Sequence, residues 1–168
     1  MIESLLRDLR QPEYLHVLLN PLPIYGLLVA LLGLIAATYL RSRGGQLTSL
    51  VLVFGCALSA WPVAYHGEQA YERVLVAVDE PGRAWLKAHE DRAEALIYFY
   101  YALALIAAAA IFAPKKWPRS ARPLVFATML LAFISLGAGF YIAAAGGKVR
   151  HREFRTAPPP ETQEAGSL

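Results

Sequence analysis

Four histidines are the residues of this chain best suited to chemistry: His16, His66, His89 and His151. An imidazole ligates transition metals through one ring nitrogen and changes charge near neutral pH. A group of them can hold Cu or Zn, bind a haem iron, or carry protons. Each lies at the end of an apolar run: His16 at the entry of the first, His66 at the exit of the second, His89 before the third and His151 just after the fourth. In an up-and-down arrangement all four fall on one side, whichever way the chain is oriented. Counted from the opposite end of each helix at about 1.5 Å per residue, His66 stands about 30 Å up, His16 and His89 about 36 Å, and His151 about 43 Å. His16 and His89 therefore share a level on different helices, which an axial bis-histidine pair on haem b requires. His66 and His151 are alternates or proton carriers, and the four together are candidate ligands of a Cu or Zn site.

Small residues collect at the same end. Gly137, Gly139, Ala143, Ala144, Gly146 and Gly147 leave one end of the fourth run nearly without side chains, and Gly55, Ala57, Ser59 and Ala60 do so in the second. Such residues let helices pack closely in lipid. They also offer room for a flat macrocycle or a quinone ring, with Gly146 and Gly147 as the candidate slot. Arg150, with Arg92, Lys148 and Arg152, lies at the right end to meet haem propionates, because guanidinium pairs with carboxylate in a bidentate way.

Carboxylates crowd this end too: Glu68, Glu72, Glu90, Asp91 and Glu94. A di-iron bundle needs Glu-x-x-His on paired helices, which is missing, and "HEDRAE" (His89–Glu94) lacks the second histidine of HExxH. As a set these acids read as a solvated hairpin. Glu94 stands apart because it opens the run "ALIYFYYALAL"; a carboxylate at a bilayer interface is a candidate to take a proton or to hold a histidine tautomer. No GxSxG, Gly-rich phosphate loop or Ser/His/Asp set supports a hydrolase or a nucleotide-binding protein. Cys56 is the single cysteine, so the chain has no internal disulfide and no CxxCH for c-type haem; it reads as a small buried hydrophobe.

The elements that must position these groups follow from run length. Of 168 residues 57% are hydrophobic and 17% charged, against about 25% charged in soluble domains. A bilayer core of about 30 Å needs roughly 20 apolar residues of helix. Four segments qualify: Tyr14–Leu40, Leu47–Tyr65, Ala95–Ala113 and Pro123–Ala145. The fold class is therefore all-α, a polytopic antiparallel bundle of four transmembrane helices. "RSRGG" and "APKKWPRSARP" form short basic connections. Between the second and third spans only "DEPG" breaks the pattern, so both helices continue beyond the bilayer into a hairpin over 66–94 with its tip near Pro81. Residues 1–12 read as an amphipathic segment in the headgroup plane, 13–152 as the transmembrane domain, and 153–168 as a disordered tail. The net charge of +3 sits in loops and tails, which suits lipid headgroups and argues against nucleic acid as a partner. Basic density in the two short loops puts those loops in the cytoplasm and both termini outside it.

"LHVLLNPLPIYGLL" (Leu15–Leu28) and "GFYIAAAGGKVRH" (Gly139–His151) together resemble the DUF2231 family of bacterial four-helix membrane proteins. That family opens with His-Pro-x-x-Val-His-Phe-Pro-Ile, matched here by His16 and Pro23–Ile24. It closes with Gly-Gly and His-Gly, matched by Gly146–Gly147 and His151. Val17 replaces a proline, Pro21 stands where the second histidine is expected, and Arg152 replaces the last glycine. Any ligand site that uses that second histidine in relatives is altered or absent here. The resemblance implies an electron-transfer setting, since similar domains are joined to c-type cytochrome or Rieske domains that work outside the cytoplasm. The readings are then a haem-b electron-transfer subunit at the outer face of the bacterial inner membrane, exchanging electrons with quinol and a c-type cytochrome or other redox subunit; a cofactor-free structural or assembly subunit; and a Cu- or Zn-binding membrane protein.

Overall fold

A computed structural model of the chain describes residues 2–160, an all-helical fold with no strand among them. The helices are α1 (Ile2–Asp8), α2 (Pro12–Leu19), α3 (Leu27–Tyr39), α4 (Arg43–Leu58), α5 (Ala60–Ala77), α6 (Glu80–Phe112) and α7 (Ala121–Arg150). They line up into four rods long and apolar enough to cross a membrane: Pro12–Tyr39, Arg43–Ala77, Glu80–Lys115 and Pro118–Arg150. The protein is a multi-pass membrane protein built as a four-helix bundle. Val29, Leu105, Leu130 and Phe133 are each more than 60% exposed, an outward apolar surface that only lipid would cover without cost.

The first two rods are broken and the last two are straight. In rod one a π-helical turn, Leu22–Gly26, separates α2 from α3. Pro21 and Pro23 cause it, since a proline has no N–H to donate and its ring displaces the carbonyl four residues back. In rod two the helix is interrupted at Ser59, whose Oγ donates to the Cys56 carbonyl at 2.6 Å, and Pro62 falls in the first turn of α5. Below the breaks α3, α4, α6 and α7 pack closely around Leu27, Leu31, Val53, Ala57, Leu103, Ala107 and Ala132. Above them α2 packs along α5 and α6 along α7, while α5 touches α6 only sparsely. The broken rods thus lean away from the straight ones and open a cleft. A second cluster of Trp85, Leu86, Ala145 and Val149 closes the far end of that cleft.

The ends are capped as the turn signals predict. Ser42 Oγ accepts from the Gly45 N–H at 3.2 Å after a tight turn in which Arg41 takes φ 54°. Asp79 Oδ1 accepts from the Gly82 N–H at 3.1 Å, which places the hairpin tip at Val78–Asp79 with Pro81 in the first turn of α6. The start of the C-terminal segment departs from the expected disordered tail. Arg152–Phe154 form a 3-10 turn, and Arg155 donates to the carbonyls of Lys148 and Val149 and to Asp79 Oδ2, all within 2.9 Å. A guanidinium with three donors engaged ends α7 by answering its last carbonyls. Tail residues 161–168 lie outside the described residues.

Candidate functional site

The cleft holds a cavity of about 730 Å³, lined by α2, α5, α6 and α7. His16 and His89 both line it, from the leaning pair and the straight pair respectively, with ring centroids 6.1 Å apart and planes nearly perpendicular at 89°. Each ring is seated in the same way. His16 Nδ1 donates to the Val63 carbonyl at 2.8 Å and His89 Nδ1 to the Ile142 carbonyl at 3.0 Å. A carbonyl only accepts, so each Nδ1 carries the proton and each Nε2 of the neutral ring is an acceptor. No protein group among the described residues pairs with either Nε2.

Four residues after each accepting carbonyl stands a glycine: Gly67 after Val63 and Gly146 after Ile142. A Cβ on Gly67 would stand 2.9 Å from His16 Nδ1, and one on Gly146 would stand 3.0 Å from His89 Nδ1 and Cε1. Position i+4 covers the carbonyl of position i on a helix surface, so only a glycine there lets an imidazole lie down and reach the oxygen. The two histidines are held by one device used twice. Gly146 is therefore the seat of His89 as well as part of the cavity wall. Gly147 also lines the cavity, and a Cβ there would meet Phe154 only at 3.7 Å.

The other candidate residues divide between the cavity and elsewhere. Arg150 and Glu94 line it, and Glu94 is exposed with no protein partner among the described residues. His66 does not join the pair; it packs edge-on against Tyr65, and its Nδ1 is buried without a partner. His151 is exposed, donates to Glu153 Oε1 at 2.9 Å and stacks on Phe154. The expected four-histidine cluster is thus corrected to a pair, and among the described residues no three His, Cys, Asp or Glu side chains are disposed to hold a metal ion. The reason is angular. Successive helix residues point about 100° apart, so His66, next to the cavity-facing Gly67, is turned away from it.

Of the four basic residues expected near propionates, three are engaged elsewhere. Arg92 donates to the Tyr141 carbonyl and lies 3.9 Å over its ring, Lys148 sits over Trp85, and Arg152 pairs with Asp79. Arg150 is left in the lining, against the carboxylates of Glu13, Glu68, Glu90 and Glu94. Glu13 and Glu90 are answered by Arg73 and Lys87 outside the lining. Tyr14, Val17, Trp61, Tyr65, Ile97 and Tyr101 complete an apolar and aromatic wall, with Trp61 and Tyr65 stacked at 5.9 Å. Size and lining suit an amphipathic small molecule oriented by a few polar groups. What sequence reasoning missed were Gly67, the wall residue Asn20, and the part Gly146 plays as the seat of His89; the seats follow from which helices pair, which no single-residue signal carries.

Compared with family models, curated proteins and solved structures, the chain matches none of them.

Proposed function

We propose that the protein is a membrane redox subunit whose cavity binds a quinol-type ring at the bilayer interface. The observation that carries this is the pair of free Nε2 acceptors, fixed by their Nδ1–H bonds, in an aromatic cavity whose charged lining is mostly carboxylate. A lining rich in acceptors suits a ligand that brings donors, and a hydroquinone brings two hydroxyls. The imidazoles receive them, and Glu94, with no other partner, takes a proton when the ring is oxidised. Oxidation releases two protons, one to Glu94 and one to the Nε2 of a histidine that received a hydroxyl, and two electrons; the electrons pass to a separate redox subunit, for which a c-type cytochrome fits the outer-face setting implied by the DUF2231 resemblance.

Haem b is a second reading, favoured by the spacing of the rings. His16 and His89, whose ring centroids stand 6.1 Å apart across the cleft, would hold it. Their tautomers fit ligation, since metal-binding histidines donate the other ring N–H to a carbonyl or carboxylate. When bound, haem would supply one-electron chemistry. The propionate end fits less well, because Arg150 alone faces the cavity among four carboxylates.

Trp61 in the wall gives the test. Titrating the purified protein with a short-chain hydroquinone should quench tryptophan fluorescence saturably, and Trp61→Phe should remove most of the change. His16→Ala and His89→Ala should each weaken binding at least about tenfold, or about 1.4 kcal/mol. Quenching that is linear and insensitive to both substitutions would sink the quinol reading. A dithionite-reduced minus oxidised spectrum of protein from a haem-replete host decides the second reading, which fails without a Soret band.

A further inference from the structure

Beneath the histidine pair lies a second cavity of about 70 Å³. His16, His89 and Asn20 line both cavities, so the pair forms the wall between them. The deeper end is lined by Tyr100 and Gly139. Tyr100 is 3% exposed, and its hydroxyl has no hydrogen-bond partner. Gly139 makes the space for that hydroxyl, because a Cβ there would collide with it. Tyr100 is eleven residues further along α6 than His89, which puts it about 16 Å deeper in the bundle.

We propose that this inner cavity binds water, and that the water forms a hydrogen-bonded path from the histidine pair to the Tyr100 hydroxyl. Most of the lining is aliphatic, Ile24, Val63, Ile97 and Ile142 included, and a wholly apolar cavity stays dry; water enters a space of more than roughly 10–15 Å³ where polar groups give it two to four partners. Here the partners are the phenol, the Asn20 amide and the two imidazoles. Their chemistry fits: the phenol and the Asn20 amide each donate and accept, and an Nε2 not engaged from the outer cavity accepts. If Tyr100 served only to fill space, a phenylalanine would do so without an orphaned hydroxyl, and Gly139 would not be needed. The inference concerns the protein with its outer cavity free of ligand, since a ligand that engages both Nε2 atoms leaves the water only the phenol and Asn20.

The experiment uses full-length protein in lipid bilayers with no added ligand, labelled with ¹³C-glycine and ¹³C-tyrosine. Magnetisation transfer from water is read by solid-state NMR. Gly67 faces only the outer cavity and Gly139 only the inner one. Transfer to Gly139 and to the Tyr100 ring should be comparable to that at Gly67. In Tyr100→Phe the Gly139 signal should fall by half or more while Gly67 keeps its own. Absent transfer to Gly139 and Tyr100 in the wild-type protein overturns the proposal, even if the variant does not fold. An undiminished Gly139 signal in a folded Tyr100→Phe protein overturns it as well. Because no quinol or haem is present, failure here is separate from failure of the functional reading.

Discussion

At the scale of single residues the site depends on what two side chains lack. Gly67 and Gly146 admit the imidazoles, and a Cβ at either would press on a ring already tied to a carbonyl. Gly67→Ala and Gly146→Ala should each displace one histidine and weaken ligand binding about tenfold or more, with an overpacking cost of about 1–3 kcal/mol. At Gly55 and Gly137 a methyl group would meet nothing within 4 Å, so these two glycines serve as controls. Alanine there should leave binding unchanged and raise stability by up to about 1 kcal/mol. Thermal unfolding and the fluorescence titration, run on all four variants, check both statements. The level shared by His16 and His89 was legible in the sequence, because rise per residue converts run length into height. The face of each histidine was not. Run length carries no angle, and so height alone left His66 and His151 as alternates to the pair.

At the scale of elements the breaks in the first two rods make the cleft. Pro21, Pro23 and Pro62 were visible in the sequence, yet nothing local says that both outer segments would lean together; that follows from α2 packing along α5. Pro62→Ala lets α5 continue the axis of α4. The expected result is a narrower cleft, ligand binding weaker by about tenfold, and a melting temperature equal to or above that of the parent protein. Equal binding in the variant would show that the break at Ser59 does not depend on the proline. The hairpin tip makes a separate prediction about pH. The Arg155 guanidinium beside Asp79 holds that carboxyl below its ordinary value. A depressed carboxyl stabilises the fold above the ordinary range near pH ~3.9, and the contribution is lost as pH falls through the lower folded value. The amides of Arg150 and His151 should therefore keep constant protection from hydrogen exchange from neutral pH down to about 4 and lose it below. In Asp79→Asn that protection should already be reduced at neutral pH.

For the whole molecule, four apolar runs and two basic loops announced a four-span bundle, and the long rods confirm the architecture because lipid forces every backbone group into a helix. Cysteine labelling at Arg43, Gly82 and Lys116 in intact cells checks the count. Arg43 and Lys116 should react from one side of the membrane and Gly82 from the other, and agreement of all three would be incompatible with four spans. If both termini lie outside the cytoplasm, as the two basic loops predict, Gly82 is the position that labels from outside. The start of the C-terminal segment was misread for a reason of range. "TAPPPETQEAGSL" has the composition of an unfolded tail, but Arg155 directly before it has its partner 76 positions away in the chain, at Asp79.

That distance fixes an order of events during synthesis. Arg155 lies downstream of every span, so Asp79 waits at the hairpin tip while α6 and α7 are made and threaded into the bilayer. Until residue 155 is added, the Lys148 and Val149 carbonyls have no guanidinium to receive, and the tip is held to the end of α7 by the Trp85 and Val149 cluster and, once residue 152 is made, by the Arg152–Asp79 pair. A chain halted at His151 would carry all four spans and both histidines, yet the upper edge of its cavity would never be fastened. The hairpin tip is thus fastened to the end of α7 by arginines made after every span, from the aqueous side of the bundle.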